Sequence, residues 1–204
     1  MSKLPDNTAY YQRNARAFFE GTHVVDMTPL YAKFETLLPA TARILDAGCG
    51  SGRDTKYFLG RGYSVTAFDA APELARLASE YVGQPVLVES FASIVFREEF
   101  DAVWACASLV HLDARELEAT LRRLTDSLRA GGVFYMSFKY GKGELKADDR
   151  VFVQYDETAL GPVIELIPDL KIAESWVSRD VRPGRSNFWL NVLCRRARGP
   201  ITNS

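Results

Sequence analysis

The chain has 204 residues, of which 25 are basic and 26 acidic, and its formal net charge at pH 7 is −1. A chain of this size buries roughly 70% of its unfolded surface, so one domain over residues 1–204 is expected. The charge balance argues against nucleic acid as a partner, because such proteins need a basic surface that neutralises phosphates.

Cysteine usage and hydropathy indicate the cellular setting. Cys49, Cys106 and Cys194 are odd in number, far apart and lack a C-x-x-C pair, so neither a disulfide framework nor a metal site is expected. The first residues lack the apolar segment of a signal peptide, and no stretch approaches the ~18 apolar residues of a membrane span. We therefore expect a cytoplasmic protein without a membrane partner.

From residue 43 to residue 138, apolar runs of strand length alternate with helical patterns, which is typical of an α/β fold. The predicted parallel strands are 43–47, 64–68, 85–89, 100–106 and 133–138, and the predicted helices between them are 53–59, 72–81 and 113–128. The last helix has an Asp113 cap with Glu116 three residues later, and it stops at Gly131-Gly132.

The pattern changes after the fifth strand. Segment 139–152 is polar and punctuated by glycines, so we expect a long functional loop. A helix over 156–167 follows, and then two strand-like runs, 170–178 and 186–196, flank a Pro183-Gly184 turn. Strands joined by a short link are antiparallel. The prediction is a doubly wound, Rossmann-like, mostly parallel seven-stranded sheet, with its last strand antiparallel and helices on both faces.

A glycine-rich bend, in the stretch ILDAGCGSGRDT (44–55), follows the first predicted strand. Glycines at such a junction let backbone N–H groups approach a polar ligand without interference from Cβ atoms. Arg53 stands where a dinucleotide motif needs its third glycine, and no Lys-Ser or Lys-Thr pair follows, as a phosphate-binding loop would require. A tight turn without a ligand is the alternative interpretation.

Two acids accompany the bend. Asp46 stands two residues before Gly48, and Asp69 ends the second strand about twenty residues later, where a doubly wound sheet reaches a ribose. A carboxylate there accepts from two vicinal hydroxyls, whereas Asp46 disfavours a pyrophosphate beside the bend. The pattern favours a nucleoside with a cationic or zwitterionic tail. The alternative for Asp69 is that it only caps the helix that begins at Pro72.

With these residues the chain resembles the class I S-adenosylmethionine-dependent methyltransferases. The resemblance is carried by ILDAGCGSG, by the acid in VTAFDA, by FDAVWACASLVHL and by LRAGGVFYMSF, and it covers residues 44–138. The segments YYQRNARAFFEGT, CGSGRDT, WACASLVHL, SFKYG and RPGR further resemble a small bacterial group described as tellurite-resistance-like. The resemblance implies S-adenosylmethionine as cofactor and S-adenosylhomocysteine as product.

The resemblance also implies the cofactor contacts. Around the amino-acid part they are Asp46, Gly48, Cys49, Gly50, Gly52 and Arg53. Around the ribose and adenine they are Asp69, Ala70, Ser90 and Phe91, and beneath the sulfonium they are Ala105, Cys106 and Ala107. The family often has an aspartate where Ser90 stands, so stacking on Phe91 is the firmer expectation. Cys106 is expected to be a small buried side chain rather than a nucleophile.

Domain organisation follows from the same resemblance. It implies a helical lid over 1–40, in which Tyr11 contacts the cofactor, a cofactor-binding core over 41–140, and substrate-side loops with the terminal strand pair over 141–204. Ordinary packing is the alternative for the aromatic side chains of the lid. His111 follows the fourth strand and is the candidate general base, with a structural hydrogen bond as the alternative.

The sequence constrains the identity of the methyl acceptor less than that of the cofactor. No Asp/Asn-Pro-Pro-Tyr/Phe motif follows the fourth strand, so a small-molecule acceptor is favoured over a nucleobase. Two loops expected at or near the cleft concentrate the residues Lys139, Tyr140, Lys142, Arg150, Arg179, Arg182 and Arg185. Of these, the candidate substrate residues are Tyr140, Arg150, Arg182 and Arg185. They suggest an anionic acceptor, and a solvated charged face is the alternative. Two other functions stay open: a non-catalytic S-adenosylmethionine-binding protein and a nicotinamide-dependent oxidoreductase.

Overall fold

A central β-sheet organises the protein in the computed structural model, which describes residues 7–182 and 184–198. Pro183 of the predicted turn, and the outermost parts of the predicted domain, 1–6 and 199–204, lie outside the described residues. The strands are β1 Arg43–Ala47, β2 Ser64–Asp69, β3 Leu87–Val88, β4 Phe100–Ala105, β5 Leu128–Lys139, β6 Gly143–Ala147, β7 Arg150–Gln154, β8 Leu170–Arg179 and β9 Phe188–Arg196.

Seven strands form the main sheet in the order β3-β2-β1-β4-β5-β9-β8, and β6 pairs with β7 in a separate sheet. Strands β1 to β5 pair in parallel, and β9 is antiparallel to both β5 and β8. The predicted mostly parallel sheet with an antiparallel last strand is therefore confirmed.

Helices cover both faces of the sheet. They are α1 Thr8–Arg13, α2 Ala15–Thr22, α3 Thr28–Glu35, α4 Arg53–Gly60, α5 Pro72–Val82, α6 Ala114–Ser127 and α7 Glu157–Glu165, with a short 3₁₀ helix at Leu109–His111. Neighbouring residues of a strand point to opposite faces. Leu45 accordingly packs in one buried cluster with Leu117 of α6, while Ile44 packs in another with Phe34 of α3 and Phe58 of α4.

The start of α6 confirms a local prediction. The Asp113 side chain accepts hydrogen bonds from the backbone N–H groups of Arg115 and Glu116, and the Glu116 carboxylate accepts from the Asp113 N–H. This reciprocal cap satisfies backbone donors that the helix leaves free, and so it sets where α6 begins.

The segment predicted as a long loop instead forms the hairpin β6–β7, which we call the cleft hairpin. Its turn places Asp148 at a φ of 55°. Val151 and Phe152 are buried, so apolar side chains inside a polar and glycine-rich stretch drive its strand formation. The predicted strand 85–89 shrinks to Leu87–Val88, because it lies at the sheet edge with both side chains exposed.

Two kinds of feature are absent from residues 7–182 and 184–198. No helix there is long and apolar enough to cross a membrane. In the same residues, no group of three or more His, Cys, Asp and Glu side chains is arranged to hold a metal ion.

Candidate active site

A cleft of about 700 Å³ opens beyond the carboxyl ends of β1, β2, β4 and β5. Ligands of open α/β sheets bind at this edge, where the loops after the parallel strands meet. The bend after β1 and the segments after β2, β3 and β4 form one side of the cleft, and α1, α2 and the cleft hairpin close over it. Its volume lies in the usual range of small-molecule sites, roughly 300–1,000 Å³.

The glycine bend is shaped by close packing on both of its sides. The N–H groups of Gly48 and Cys49 donate to the carbonyl of Phe68 at 3.0 and 2.9 Å, which ties the end of β1 to β2. Gly48 has a φ of +75°, and a Cβ there would lie 2.7 Å from Cβ of Ser108. Gly50 has a φ of +57°, and a Cβ there would lie 3.2 Å from the ring of Phe18. The bend therefore needs glycine for its conformation as well as for access.

Asp69 lies at the end of β2 and lines the cleft. Its Oδ2 accepts from the Gly50 N–H at 3.0 Å and its Oδ1 from the Ala71 N–H at 2.9 Å. The carboxylate therefore both fixes the bend and supports the start of α5. Each oxygen still has a lone pair for a ligand hydroxyl. Burial raises the pKa of Asp69 above its usual value, although the backbone donors act in the opposite direction.

Asp46 lies beneath the bend and does not line the cleft. It is 2% exposed and accepts from the Thr55 hydroxyl at 2.6 Å. Burial, together with the charge of Asp54, raises its pKa to about 8. Gly52 is also turned away from the cleft, because a Cβ on it would lie 2.9 Å from Val82 of α5.

Arg53 lines the cleft, and its guanidinium forms an ion pair with the adjacent residue, Asp54. Its Nε and Nη2 donate to the two carboxylate oxygens of Asp54 at 2.6 and 2.9 Å. Burial acts to raise the pKa of Asp54, but the charge and hydrogen bonds of Arg53, with donors from Tyr31 and Trp104, hold it below its usual value. The base of the bend therefore carries a buried ion pair with a bidentate geometry.

The predicted adenine side of the cleft contains Ala70, Ser90 and Phe91. The ring of Phe91 packs edge-on against Phe68 with 5.5 Å between centroids. Ser90 is exposed, and its hydroxyl lies 3.1 Å from that of Ser93. Phe91 therefore has a fixed orientation, while Ser90 shares its hydrogen bonding with a neighbour.

Beyond β4, Cys106 and Ala107 line the cleft, whereas Ala105 is fully buried within the strand. Burial raises the pKa of the Cys106 thiol to about 12, so the thiol stays protonated and is a poor nucleophile. Ala107 has a φ of 54°, and its N–H donates to the Ser137 hydroxyl at 2.9 Å. A strained backbone held by a neighbouring strand is typical of functional sites.

His111 is bonded on both ring nitrogens. Its Nδ1 lies 2.7 Å from the carbonyl oxygen of Val151, so Nδ1 carries the proton. Its Nε2 lies 2.8 Å from the Tyr11 hydroxyl, which therefore donates to it. Burial lowers the pKa of His111 to about 4, so the imidazole is neutral at pH 7. His111 thus makes the structural hydrogen bonds that were the alternative to a role as general base. To act as a base, its Nε2 must first lose the hydrogen bond from the Tyr11 hydroxyl.

The predicted substrate residues are only partly brought together. Arg150, Arg182 and Arg185 line the cleft, but Tyr140 lies outside it, with its hydroxyl 3.4 Å from Glu157. Arg182 donates to Asp180 at 2.9 and 2.6 Å. The three arginines form the cationic end of the cleft, opposite the adenine side.

Two further residues line the cleft: Ser108, which escaped prediction as a contact, and Lys139, which is one of the predicted basic residues. Ser108 Oγ is buried and has no hydrogen-bond partner within the described part of the chain. Lys139, which is 8% exposed, reaches the cleft from the end of β5. Ser108 follows a predicted strand, and that position is its only sequence signal.

The chain is similar in sequence to known methyltransferases. Residues 44–132 match the family described as "Methyltransferase domain". The chain is 37% identical over 108 residues to the ubiquinone biosynthesis O-methyltransferase of Xanthomonas axonopodis pv. citri (strain 306), over 50% of this chain and 44% of that one. It is 34% identical to the malonyl-(acyl-carrier protein) O-methyltransferase of Enterobacter lignolyticus (strain SCF1), over 47% and 39% of the two chains. The chain thus spans under half the length of these curated relatives.

Solved structures share the fold. An S-adenosylmethionine-dependent methyltransferase of Methanosarcina mazei superposes with a TM-score of 0.76 at 20% identity, over 83% of this chain and 99% of that one. The 1,6-didemethyltoxoflavin-N1-methyltransferase of Burkholderia thailandensis, solved with 1,6-didemethyltoxoflavin and S-adenosylhomocysteine, has a TM-score of 0.67 at 24% identity, over 97% and 93%. Residues 44–132 thus match a methyltransferase-domain family, and the solved methyltransferases share the fold of this chain.

Proposed function

We propose that the protein is an S-adenosylmethionine-dependent methyltransferase that acts on a small, anionic acceptor in the cytoplasm. One observation carries the proposal: Asp69 and the cationic end of the cleft face the same 700 Å³ space. The acid suits a ribose, and the arginines suit an anion. A volume of this size accommodates a nucleoside cofactor together with a small acceptor.

The residues present fit the cofactor. Asp69 keeps acceptor capacity for two hydroxyls, and Phe91 offers a fixed ring for an adenine to stack on. The buried Ser108 hydroxyl gains a partner when a polar ligand fills the cleft. Asp46 and Ala105 support these contacts from beneath, without lining the cleft.

Methyl transfer asks mainly for alignment and exclusion of water. The bound cofactor supplies an electrophilic methyl group, and the chain holds the acceptor in line with it. The small side chains of Cys106 and Ala107 leave room for the reacting atoms, and Tyr11 and Phe18 cover the cleft. An acceptor that arrives as an anion needs no base, whereas an alcohol or amine needs one, and His111 is the candidate.

The accepting atom is a separate question. The two curated relatives are named O-methyltransferases, and one structural neighbour is named an N1-methyltransferase. The likeness to the tellurite-resistance-like group adds tellurite and selenite as oxyanions to be tested. Tellurite and selenite carry negative charge, which agrees with the cationic end of the cleft.

Asp69→Asn tests the cofactor site. Calorimetry with S-adenosylhomocysteine should show an affinity lower by about 10- to 100-fold, because hydrogen bonds to a charged group contribute roughly 1.5–3 kcal/mol. Asp149→Asn is the matched control, since Asp149 is exposed at the turn of the cleft hairpin. Unchanged affinity in Asp69→Asn would remove the basis of the assignment.

A screen tests catalysis itself. Labelled S-adenosylmethionine is incubated with metabolite extracts, tellurite and selenite, and both labelled product and S-adenosylhomocysteine are measured. Turnover with an anionic acceptor is the expected result. Cofactor binding without any turnover would instead favour a non-catalytic binding protein.

A further inference from the structure

Lys139 is a cation inside the cleft without a matching anion. Its ammonium lies 4.6 Å from the centre of the Phe152 ring and 5.6 Å from that of the Trp189 ring. Within residues 7–182 and 184–198, the Lys139 ammonium has neither a hydrogen bond nor an ion pair with a carboxylate. Lysine is almost never buried without a partner, because removing a charge from water is costly.

The charges around Lys139 do not compensate it. The nearby carboxylate, Asp180, accepts from Arg182 and, at 3.2 Å, from Nε1 of Trp189. The other charged groups that act on Lys139 are Arg150, Arg182 and Arg185. Burial, followed by the charge of Arg182, lowers the pKa of the Lys139 ammonium. A ligand anion at this point would relieve both the burial and the repulsion.

The position of Lys139 relates it to the reacting methyl group. Ser137 stands two residues earlier on the same face of β5 and bonds to the Ala107 N–H at 2.9 Å. Two residues of a strand span about 6.6 Å. The backbone of Lys139 therefore lies about 6.6 Å along β5 from that of Ser137, which supports the floor on which the sulfonium is expected. The Lys139 backbone is held on both sides, by pairing with Trp189 and by a 3.0 Å hydrogen bond from the Tyr155 N–H.

We infer that Lys139 pairs with the nucleophilic atom of the acceptor, and that this acceptor is an aromatic phenolate or thiolate. The inference deepens the proposed function and rests on it. Phe152 and Trp189 provide flat apolar walls beside the ammonium, which suit an aromatic ring better than an inorganic oxyanion. Lys139 is thereby a specificity-determining residue of the site.

The chemistry balances without a protein base. The acceptor loses its proton to solvent on binding, and Lys139 stabilises the resulting anion. A lone pair of that anion forms the bond to the methyl carbon, the carbon–sulfur bond breaks, and its electron pair stays on sulfur. Negative acceptor and positive sulfonium give two neutral products, and the ammonium remains protonated throughout.

Two coloured probes test the inference, 4-nitrophenol and 4-nitrothiophenol, because their ionisation is visible in absorbance. Each is titrated with pH in the presence of S-adenosylhomocysteine. The wild type should bind them as anions and lower their apparent pKa by about one unit, which corresponds to tenfold in affinity. Lys139→Met should lose this shift and about tenfold in affinity, while Lys139→Arg should keep most of both. Lys171→Met, at an exposed position of β8, is the matched control.

Parallel calorimetry with S-adenosylhomocysteine separates the outcomes. If Lys139→Met binds that cofactor product and also the probes as the wild type does, the inference is overturned and the proposed function stands. The inference is also overturned, and the proposed function also stands, if the wild type binds S-adenosylhomocysteine but neither probe. If the wild type fails to bind the product, the proposed function fails, and the inference fails with it. Lys139→Gln provides a second variant should Lys139→Met not fold.

Discussion

Gly48 lines the cleft and is also required by the conformation and packing of the bend. Its φ of +75° is costly for residues with a Cβ, by roughly 1–2 kcal/mol. The 2.7 Å approach to Ser108 adds an overpacking cost of roughly 1–3 kcal/mol. Gly48→Ala should therefore lower the free energy of unfolding by about 2–5 kcal/mol in urea denaturation.

Gly62→Ala is the control that measures only the cost of placing a Cβ at a positive φ. Gly62 has a φ of +89°, and a Cβ there would meet nothing within 4 Å. Gly62→Ala should therefore lower the free energy of unfolding by only roughly 1–2 kcal/mol. Equal losses at the two positions would mean that Ser108 moves aside without cost and that packing does not demand glycine in the bend.

His111 should produce a pH-dependent stability. Its pKa is about 4 in the folded state against 6.5 without burial. Between these values the unfolded chain binds the proton more readily, so the folded state loses stability as the pH falls. From pH 7 to pH 5 the loss attributable to His111 is about 2 kcal/mol. Urea denaturation of His111→Gln at both pH values should lack this loss.

His23→Gln is the comparison variant, because His23 stacks on Phe19 away from the sheet and does not line the cleft. It should behave as the wild type does. A wild-type pH dependence that persists in His111→Gln would mean that the imidazole is not buried as a neutral group.

At the scale of elements, α1 is joined to the cleft hairpin across the mouth of the cleft. The Val151 N–H donates to the side chain of Asn7 at 3.1 Å, and the guanidinium of Arg150 lies 4.3 Å from the centre of the Tyr10 ring. Tyr11 adds an indirect link, because it donates to His111, whose Nδ1 donates to the Val151 carbonyl of the hairpin. The predicted lid therefore has a partner in the hairpin, a segment that the sequence patterns indicated as a loop.

Tyr11→Phe tests the closure. It removes the hydroxyl that donates to His111 but keeps the ring, so about 1 kcal/mol of stability should be lost. Dissociation of S-adenosylhomocysteine, followed by stopped-flow displacement, should become about fivefold faster if that bond must break for release. Tyr57→Phe removes a hydroxyl bonded to Glu35 away from the cleft and should leave the rate unchanged. Equal rates in all three proteins would show that α1 does not limit release.

At the scale of the whole molecule, the cleft couples the sheet, α1 and the cleft hairpin. S-adenosylhomocysteine at 100 times its Kd should raise the free energy of unfolding by about 2.7 kcal/mol, with slower amide exchange in α1 and β7 as well as in the bend. NAD should give neither effect, because Arg53 stands in place of the third glycine. Stabilisation by NAD alone would favour the oxidoreductase alternative.

The sequence by itself determined the type and order of the elements in the matched core. Apolar runs of strand length, the capped start of α6 and the glycine bend are local patterns, and each specifies its own conformation. Because parallel strands end at one edge, the motifs that follow β1, β2 and β4 also had to meet there. The fold and the position of the cleft were therefore predictable.

Only the tertiary structure decided which side chains reach the cleft and which are buried. Asp46 and Asp69 are both acids at strand ends, yet one turns to Thr55 and the other to the cleft. The contact between Tyr11 and His111 joins residues 100 positions apart. Within the described residues, the charge of Lys139 has no carboxylate partner, because Asp180 is paired with Arg182. Burial and choice of partner depend on packing between distant segments, which no local pattern encodes.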